Sequence, residues 1–185
     1  MKNTIIATRY AKALFEFASE QNIIEEVKKD IELLLDVIKE NKDFRMLLKS
    51  PIVKYDKKKK IVEEVFKDAM HEVTLKYLKI IISKRRESFL EAISEEFIEL
   101  YKEFKNIVTT HFATAYKIDD SIRQKVIDLL NKQTGGEIEF IEKVKEELIG
   151  GFVMEYRDKK YDASIQRQLT DLRKDFEINL YKRKL

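Results

Sequence analysis

Cysteine is absent from the 185 residues, proline occurs once, at Pro51, and glycine only four times. Without cysteine the chain forms no disulfide, has no thiol nucleophile and offers no thiolate to a metal, which suits a reducing compartment. The scarcity of glycine and proline removes most of the usual helix breakers. Long apolar runs are missing too, since none approaches the roughly 20 residues that span a bilayer. The opening stretch MKNTIIATRYAKALFEFA is broken by charges and is followed by no small-residue cleavage site, so it reads as the start of the mature protein. Neither sign of charge dominates: 37 Lys+Arg oppose 34 Asp+Glu, interleaved along the chain. A polyanion binder would gather its basic residues on one face.

With 44% hydrophobic and 38% charged residues, the composition is that of a globular, largely helical protein. The 3.6-residue apolar period predicts six helices, at about residues 4–19, 23–40, 42–49, 56–69, 72–84 and 87–105. Asn22 with Glu25 and Ser88 with Glu91 have capping-box spacing, Asn41 and Asp56 are further cap candidates, and Pro51 ends the third helix. After Lys105 the period shortens. Val108, Thr110, Phe112, Thr114 and Tyr116 alternate as in a strand, and Ser121 and Gln124 open a helix that Gly135 stops. EIEF and FVMEY alternate again, Asp158-Lys159-Lys160 suits a hairpin turn, and a last helix from about Ser164 lines up Ile165, Leu169, Leu172, Phe176 and Leu180. The expected fold is mainly α with a small α+β part: a six-helix bundle over residues 1–105 and an α+β domain over 106–185.

The four glycines form two pairs, Gly135-Gly136 and Gly150-Gly151. A phosphate-binding loop places its glycines before a helix N-terminus, usually with Lys-Ser or Lys-Thr following. Gly150 and Gly151 precede a strand pattern instead, which assigns them a conformational role, a bulge or a close backbone crossing.

Other chemistry is equally sparse. His71 and His111 lie in different halves and outside any ligand spacing, Glu95 with Glu99 is a chance helical pair, and Ser50 and Ser88 lack a nucleophile motif. No enzyme, metal site or cofactor is expected. The run Lys57-Lys58-Lys59-Lys60 spreads around a helix, with Glu63 and Glu64 one turn on, and reads as solvated surface. A helical nucleic-acid-binding adaptor is the alternative that this run leaves open.

Two helices have more apolar surface than one core stripe needs. On the first, Ile6, Tyr10, Ala13, Leu14 and Phe17 fall together, and Ala7, Ala11, Phe15 and Ala18 extend the arc to about 200°. On the fifth, Val73, Tyr77, Ile80 and Ile81 extend into Leu75, Leu78 and Ile82. Such helices are either central in a bundle or line a groove that a partner fills.

Three segments carry a resemblance: RYAKALFEFA, LLKSPIVKYDKKKKIVEEVF and LIGGFVMEYRDKKYDASIQRQLTDL. Together, in this order, they resemble the delta subunit of F-type ATP synthases, the bacterial counterpart of the oligomycin-sensitivity-conferring protein. Ala163 stands where the family often has glycine, and the junction near Asn106 lacks one. The resemblance implies a noncatalytic peripheral-stalk subunit, one copy per complex, without a cofactor, at the cytoplasmic side of a bacterial membrane. It implies that the bundle receives the N-terminal helix of an alpha subunit between the first and fifth helices, with Ala7, Ala11, Leu14, Phe15 and Ala18 facing Leu75, Leu78 and Ile82. The C-terminal domain would hold the helices of the b subunit, with Leu169, Leu172 and Phe176 as contacts, while Gly150, Gly151, Asp162 and Ser164 shape its turn. On this reading Leu78→Glu or Ala11→Arg should uncouple ATP hydrolysis from proton pumping and leave the subunit folded.

Overall fold

The computed structural model describes residues 2–177. The chain divides into two compact units, Met1–Phe104 and Lys105–Leu185.

Among the described residues, the first unit is built from α1 (Lys2–Glu20), α2 (Ile24–Glu40), α3 (Lys42–Lys49), α4 (Tyr55–Phe66), α5 (Glu72–Ser83) and α6 (Leu90–Lys105), with a one-turn 3-10 helix, Glu87–Phe89, leading into α6. The turns use αL residues without glycine. Asn22 does not cap α2 as its spacing suggests. It lies at φ 56° and closes α1, so that the Ile23 amide donates to the Ala18 carbonyl at 3.0 Å. Arg85 repeats the motif after α5, also at φ 56°, with the Arg86 amide on the Ile81 carbonyl at 3.0 Å. Asn41 does cap α3, its side-chain oxygen accepting the Phe44 amide at 3.0 Å.

The core of this unit runs from Ala7, Ala11, Leu14 and Ala18 of α1 through Val27, Ile31, Leu34 and Ile38 of α2 to Leu78, Ile81 and Ile82 of α5 and Ile93 and Phe97 of α6. Phe44 meets Phe66 edge to face, ring centroids 5.8 Å apart, fixing α3 against α4.

The second unit holds a four-stranded sheet in the order β2-β1-β3-β4. β1 (Ile107–Thr114) pairs in parallel with β2 (Glu137–Val144), and α7 (Asp120–Thr134) makes the crossover between them. β3 (Phe152–Tyr156) lies antiparallel on the other side of β1 and forms a hairpin with β4 (Lys159–Asp162), before α8 (Ile165–Glu177). β1 alternates as expected, with Val108, Thr110, Phe112 and Thr114 buried, but it ends before Tyr116. The core is small: Val108, Leu130 and Tyr156, with Val126, Ile138 and Met154 packed against them. Phe112 adds an aromatic row, its ring 5.3 Å from that of Phe140 and 5.2 Å from that of Phe152.

Gly151 sits at φ +73°, and a Cβ there would lie 2.2 Å from the Ala163 carbonyl oxygen, a backbone atom that cannot rotate away. Gly151→Ala is therefore expected to destabilise this unit by roughly 2–4 kcal/mol, positive-φ strain adding to the clash. Amide exchange in β3 and β4 is the measurement, and unchanged protection would mean that the crossing has room for a side chain.

Candidate functional site

α1 and α5 flank an apolar groove of about 440 Å³ lined by Ala13, Leu14, Phe17, Val73, Lys76, Tyr77 and Ile80. On α1 these residues recur at i, i+1 and i+4 and on α5 at i, i+3, i+4 and i+7, so each helix presents one continuous face. Phe17 is 47% exposed and Ile80 54%, which leaves the walls open for another apolar surface. Between the walls, the Tyr77 hydroxyl donates to the Tyr10 carbonyl of α1 at 2.9 Å. Burial pushes the Tyr77 phenol well above its ordinary range, with the nearby Tyr10 phenol adding to the effect, so it remains a neutral donor at any physiological pH. At the rim the Lys76 ammonium pairs with Glu72 at 2.7 Å, and that contact holds the Glu72 carboxyl below the usual carboxylate range.

This groove lies between the two helices with surplus apolar arc, but on the other edge of each arc. Of the eight residues expected to line it, only Leu14 does. Ala7, Ala11 and Ala18 are buried in the bundle core, as are Leu75, Leu78 and Ile82. Phe15 turns toward α6, its ring 6.0 Å from Phe97 and 5.6 Å from Phe104. Two causes decide these rotations. Alanines permit the closest helix approach, so the alanine face of α1 goes to the internal crossing. On α5, the buried Asp30 carboxylate of α2 accepts both the Thr74 hydroxyl and the His71 amide. That pin turns Leu75, Leu78 and Ile82 inward and leaves Val73, Tyr77 and Ile80 outside. The polar Thr74 inside an apolar run was the sequence signal for it.

Lys58 departs from the solvated surface expected of the lysine run. It is 1% exposed, and its ammonium donates to the Glu87 carboxylate at 2.7 Å and to the Leu48 carbonyl at 2.9 Å. It stands one and two turns before the buried Val62 and Phe66, so its helical phase already placed it on the inner stripe of α4.

In the second unit, α8 presents Ile165, Leu169, Leu172 and Phe176 with exposures of 41%, 51%, 51% and 82%. Their spacing of four, three and four residues forms a seam of about 16 Å along one helix face. Leu180 lies outside the described residues. Leu169, Leu172 and Phe176, the residues expected to contact the b subunit, all face outward. The start of α8 is built by the predicted turn residues: the Ser164 hydroxyl and amide donate to Asp162 Oδ1 at 2.7 and 3.1 Å, and Ser164 Oγ accepts the Arg167 amide at 3.2 Å. The Asp162 carboxyl is held low mainly by the Ser164 hydroxyl and then by its amide. Gly150 accepts the Ile165 amide at 3.0 Å and Phe152 the Ala163 amide at 2.9 Å, which ties the glycine pair to the same turn.

Among the described residues, no group of three or more His, Cys, Asp or Glu is placed to hold a metal ion, and no helix is long and apolar enough to cross a membrane.

The fold is thus a helical bundle with an open apolar groove between α1 and α5, followed by a small α+β unit whose last helix exposes an apolar seam. The chain belongs to the ATP synthase delta (OSCP) subunit family, whose model matches residues 6–176. It is 32% identical over 169 residues to the ATP synthase subunit delta of Salinibacter ruber, covering 91% of this chain and 89% of that one. Against the subunit delta of Parabacteroides distasonis the identity is 34% over 168 residues, covering 91% and 93%. The fold matches a chain in the cryo-EM structure of the Toxoplasma gondii mitochondrial ATP synthase hexamer with a TM-score of 0.75 at 22% identity, over 94% of this chain and 98% of that one. The protein is thus a peripheral-stalk subunit of an ATP synthase, part of a membrane-associated complex. The nucleic-acid-binding adaptor has no support, since the family is a different one and the middle of the basic run is committed to an internal ion pair.

Proposed function

We propose that the chain is a noncatalytic clamp whose groove between α1 and α5 takes the N-terminal helix of an ATP synthase alpha subunit, while the α8 seam holds the C-terminal helices of the b subunit. The observation that carries the first half is the open apolar groove, with Phe17 and Ile80 half exposed on its walls. A bundle with a completed core has no internal use for such residues, and their periodicity fits a helix laid along the groove. The seam of α8 supports the second half in the same way. The complex would sit at the cytoplasmic face of a bacterial membrane, with one copy of this subunit in each.

The mechanism is mechanical. Torque from the rotor pushes on the catalytic head, and a stator resists by holding the head to the stalk. A helix seated along a groove distributes that load over several turns, and an interface of ordinary size, about 800 Å² per partner, supports tight binding when well packed. Two docking sites in one chain make the second engagement intramolecular, which raises its effective concentration to the millimolar range.

Titration of the full chain with a synthetic peptide copying the first ~20 residues of the alpha subunit, a helix of about 30 Å, is the test. Saturable binding with a gain in peptide helicity is expected. A peptide that stays unbound, or one that binds equally well when the groove is blocked at Phe17, would remove the assignment.

A further inference from the structure

The groove between α1 and α5 has ends of opposite charge. α2 folds back along α1 through the short turn that the Ile23 amide closes on the Ala18 carbonyl, and Asp30, in the second turn of α2, holds His71 and Thr74 at the start of α5. The 3-10 turn that follows α5 packs against α1, and Thr8, early in α1, donates to Glu96 of α6 at 2.9 Å. α5 therefore begins beside the C-terminal half of α1 and ends beside its N-terminal half, with Tyr77 meeting Tyr10 between. Ile80 and Ala13 mark one end of the groove, Val73 and Phe17 the other.

One turn beyond Ile80 comes Lys84, and one turn beyond Ala13 comes Arg9. Both are exposed, and neither makes an ion pair among the described residues. Glu20, one turn beyond Phe17 at the opposite end, is likewise exposed and without an ion pair among the described residues. The charges between the ends are matched already, Glu72 with Lys76 at 2.7 Å and Glu16 with Lys12 at 3.8 Å. The cations that follow Lys84 are engaged elsewhere: Arg85 lines the cavity beneath the α3–α4 loop, and the Arg86 guanidinium lies 5.9 Å from the centre of the Phe89 ring.

We infer that the groove seats its helix in one direction, the partner's first turn against Arg9 and Lys84 and its last turn against Glu20, parallel to α1 and antiparallel to α5. The inference rests on the reading of the groove as the seat of the alpha-subunit N-terminal helix. An apolar stripe carries little sense of direction, so the unmatched charges at the two ends separate the seatings. Helices gather carboxylates in the first turn and lysine or arginine in the last, where they complement the backbone dipole. That dipole alone, about half an elementary charge at each end, would favour the opposite seating. A first-turn carboxylate carries a full charge on a side chain that can reach Arg9 or Lys84, so the side chains decide.

The test uses the full chain and the synthetic peptide copying the first ~20 residues of the alpha subunit, with a nitroxide at its first or its last residue. Paramagnetic broadening of backbone amide signals is the readout. The N-terminal label is expected to broaden Arg9 and Lys84, the C-terminal label Glu20 and Val73. The reverse pattern, or broadening of both ends by either label, would overturn the inference. Arg9→Glu combined with Lys84→Glu should weaken binding about ten-fold at about 0.05 M salt and by less than about two-fold at about 0.5 M, because exposed charges are screened. Unchanged affinity at low salt would overturn it equally, and so would a loss that persists at high salt, which would report packing. Failure of the underlying reading looks different: a peptide that does not bind, or whose labels broaden neither end of the groove, removes the docking site and this inference with it.

Discussion

Leu78→Glu should unfold the N-terminal unit, whereas Ile80→Glu, two residues along the same helix, should leave it folded and lower affinity for the alpha-subunit peptide about 100-fold, or roughly 2.7 kcal/mol. Leu78 is fully buried among core residues that include Ile81 and Ile82, and a carboxylate there meets no donor. The cost of an unpaired buried charge, above about 4 kcal/mol, takes up most of the stability of a unit of this size. Ile80 points into the groove and is 54% exposed, with Lys76 and Lys84 one turn away on either side to accommodate a carboxylate. Only a partner's apolar side chain is denied. The expectation that Leu78→Glu or Ala11→Arg would uncouple a folded complex is therefore replaced: both positions are core, and Ile80→Glu is the variant that should uncouple hydrolysis from pumping. Circular-dichroism melts and peptide titration on the same samples decide it. A folded Leu78→Glu protein, or an Ile80→Glu protein that binds normally, contradicts the groove geometry.

Lys58→Met is the second substitution with a large expected effect, a loss of about 3–5 kcal/mol from the N-terminal unit. The side chain joins three connections: α4 itself, the end of α3 through the Leu48 carbonyl, and the turn before α6 through Glu87. Glu87 Oε2 is buried without a hydrogen-bond partner in the protein, so removing the ammonium leaves the carboxylate with neither counter-charge nor donor. Replacing both partners removes the liability together with the bond. Lys58→Met combined with Glu87→Leu should recover most of the loss, because an apolar pair of similar volume avoids desolvating either charge. Urea titration followed by the far-ultraviolet signal measures both. A single-variant loss below about 1 kcal/mol would place the pair in the class of solvated ion pairs.

Much of the architecture was readable before any coordinates, for a local reason. Helix period, strand alternation, Pro51 and the glycine pairs act over a few residues, and they located the elements to within a few positions, apart from caps such as Asn22 and the continuation of β2 beyond EIEF to Val144. The apolar stripe of α8 was equally visible as a period; that it stays largely exposed was shown only by the fold.

The sequence by itself determined that α1 and α5 have apolar arcs too wide for one core stripe, since arc width is a property of spacing along a single helix. It could not say which edge of each arc the protein covers itself. Only the tertiary structure decided that, through contacts between residues far apart in the chain. Asp30 of α2 pins Thr74 and sets the rotation of α5, Glu87 draws Lys58 out of a lysine run, and Phe97 and Phe104 of α6 claim Phe15. A helix can turn about its axis without changing its sequence pattern, so the side left for a partner is fixed by whichever long-range contacts satisfy its neighbours.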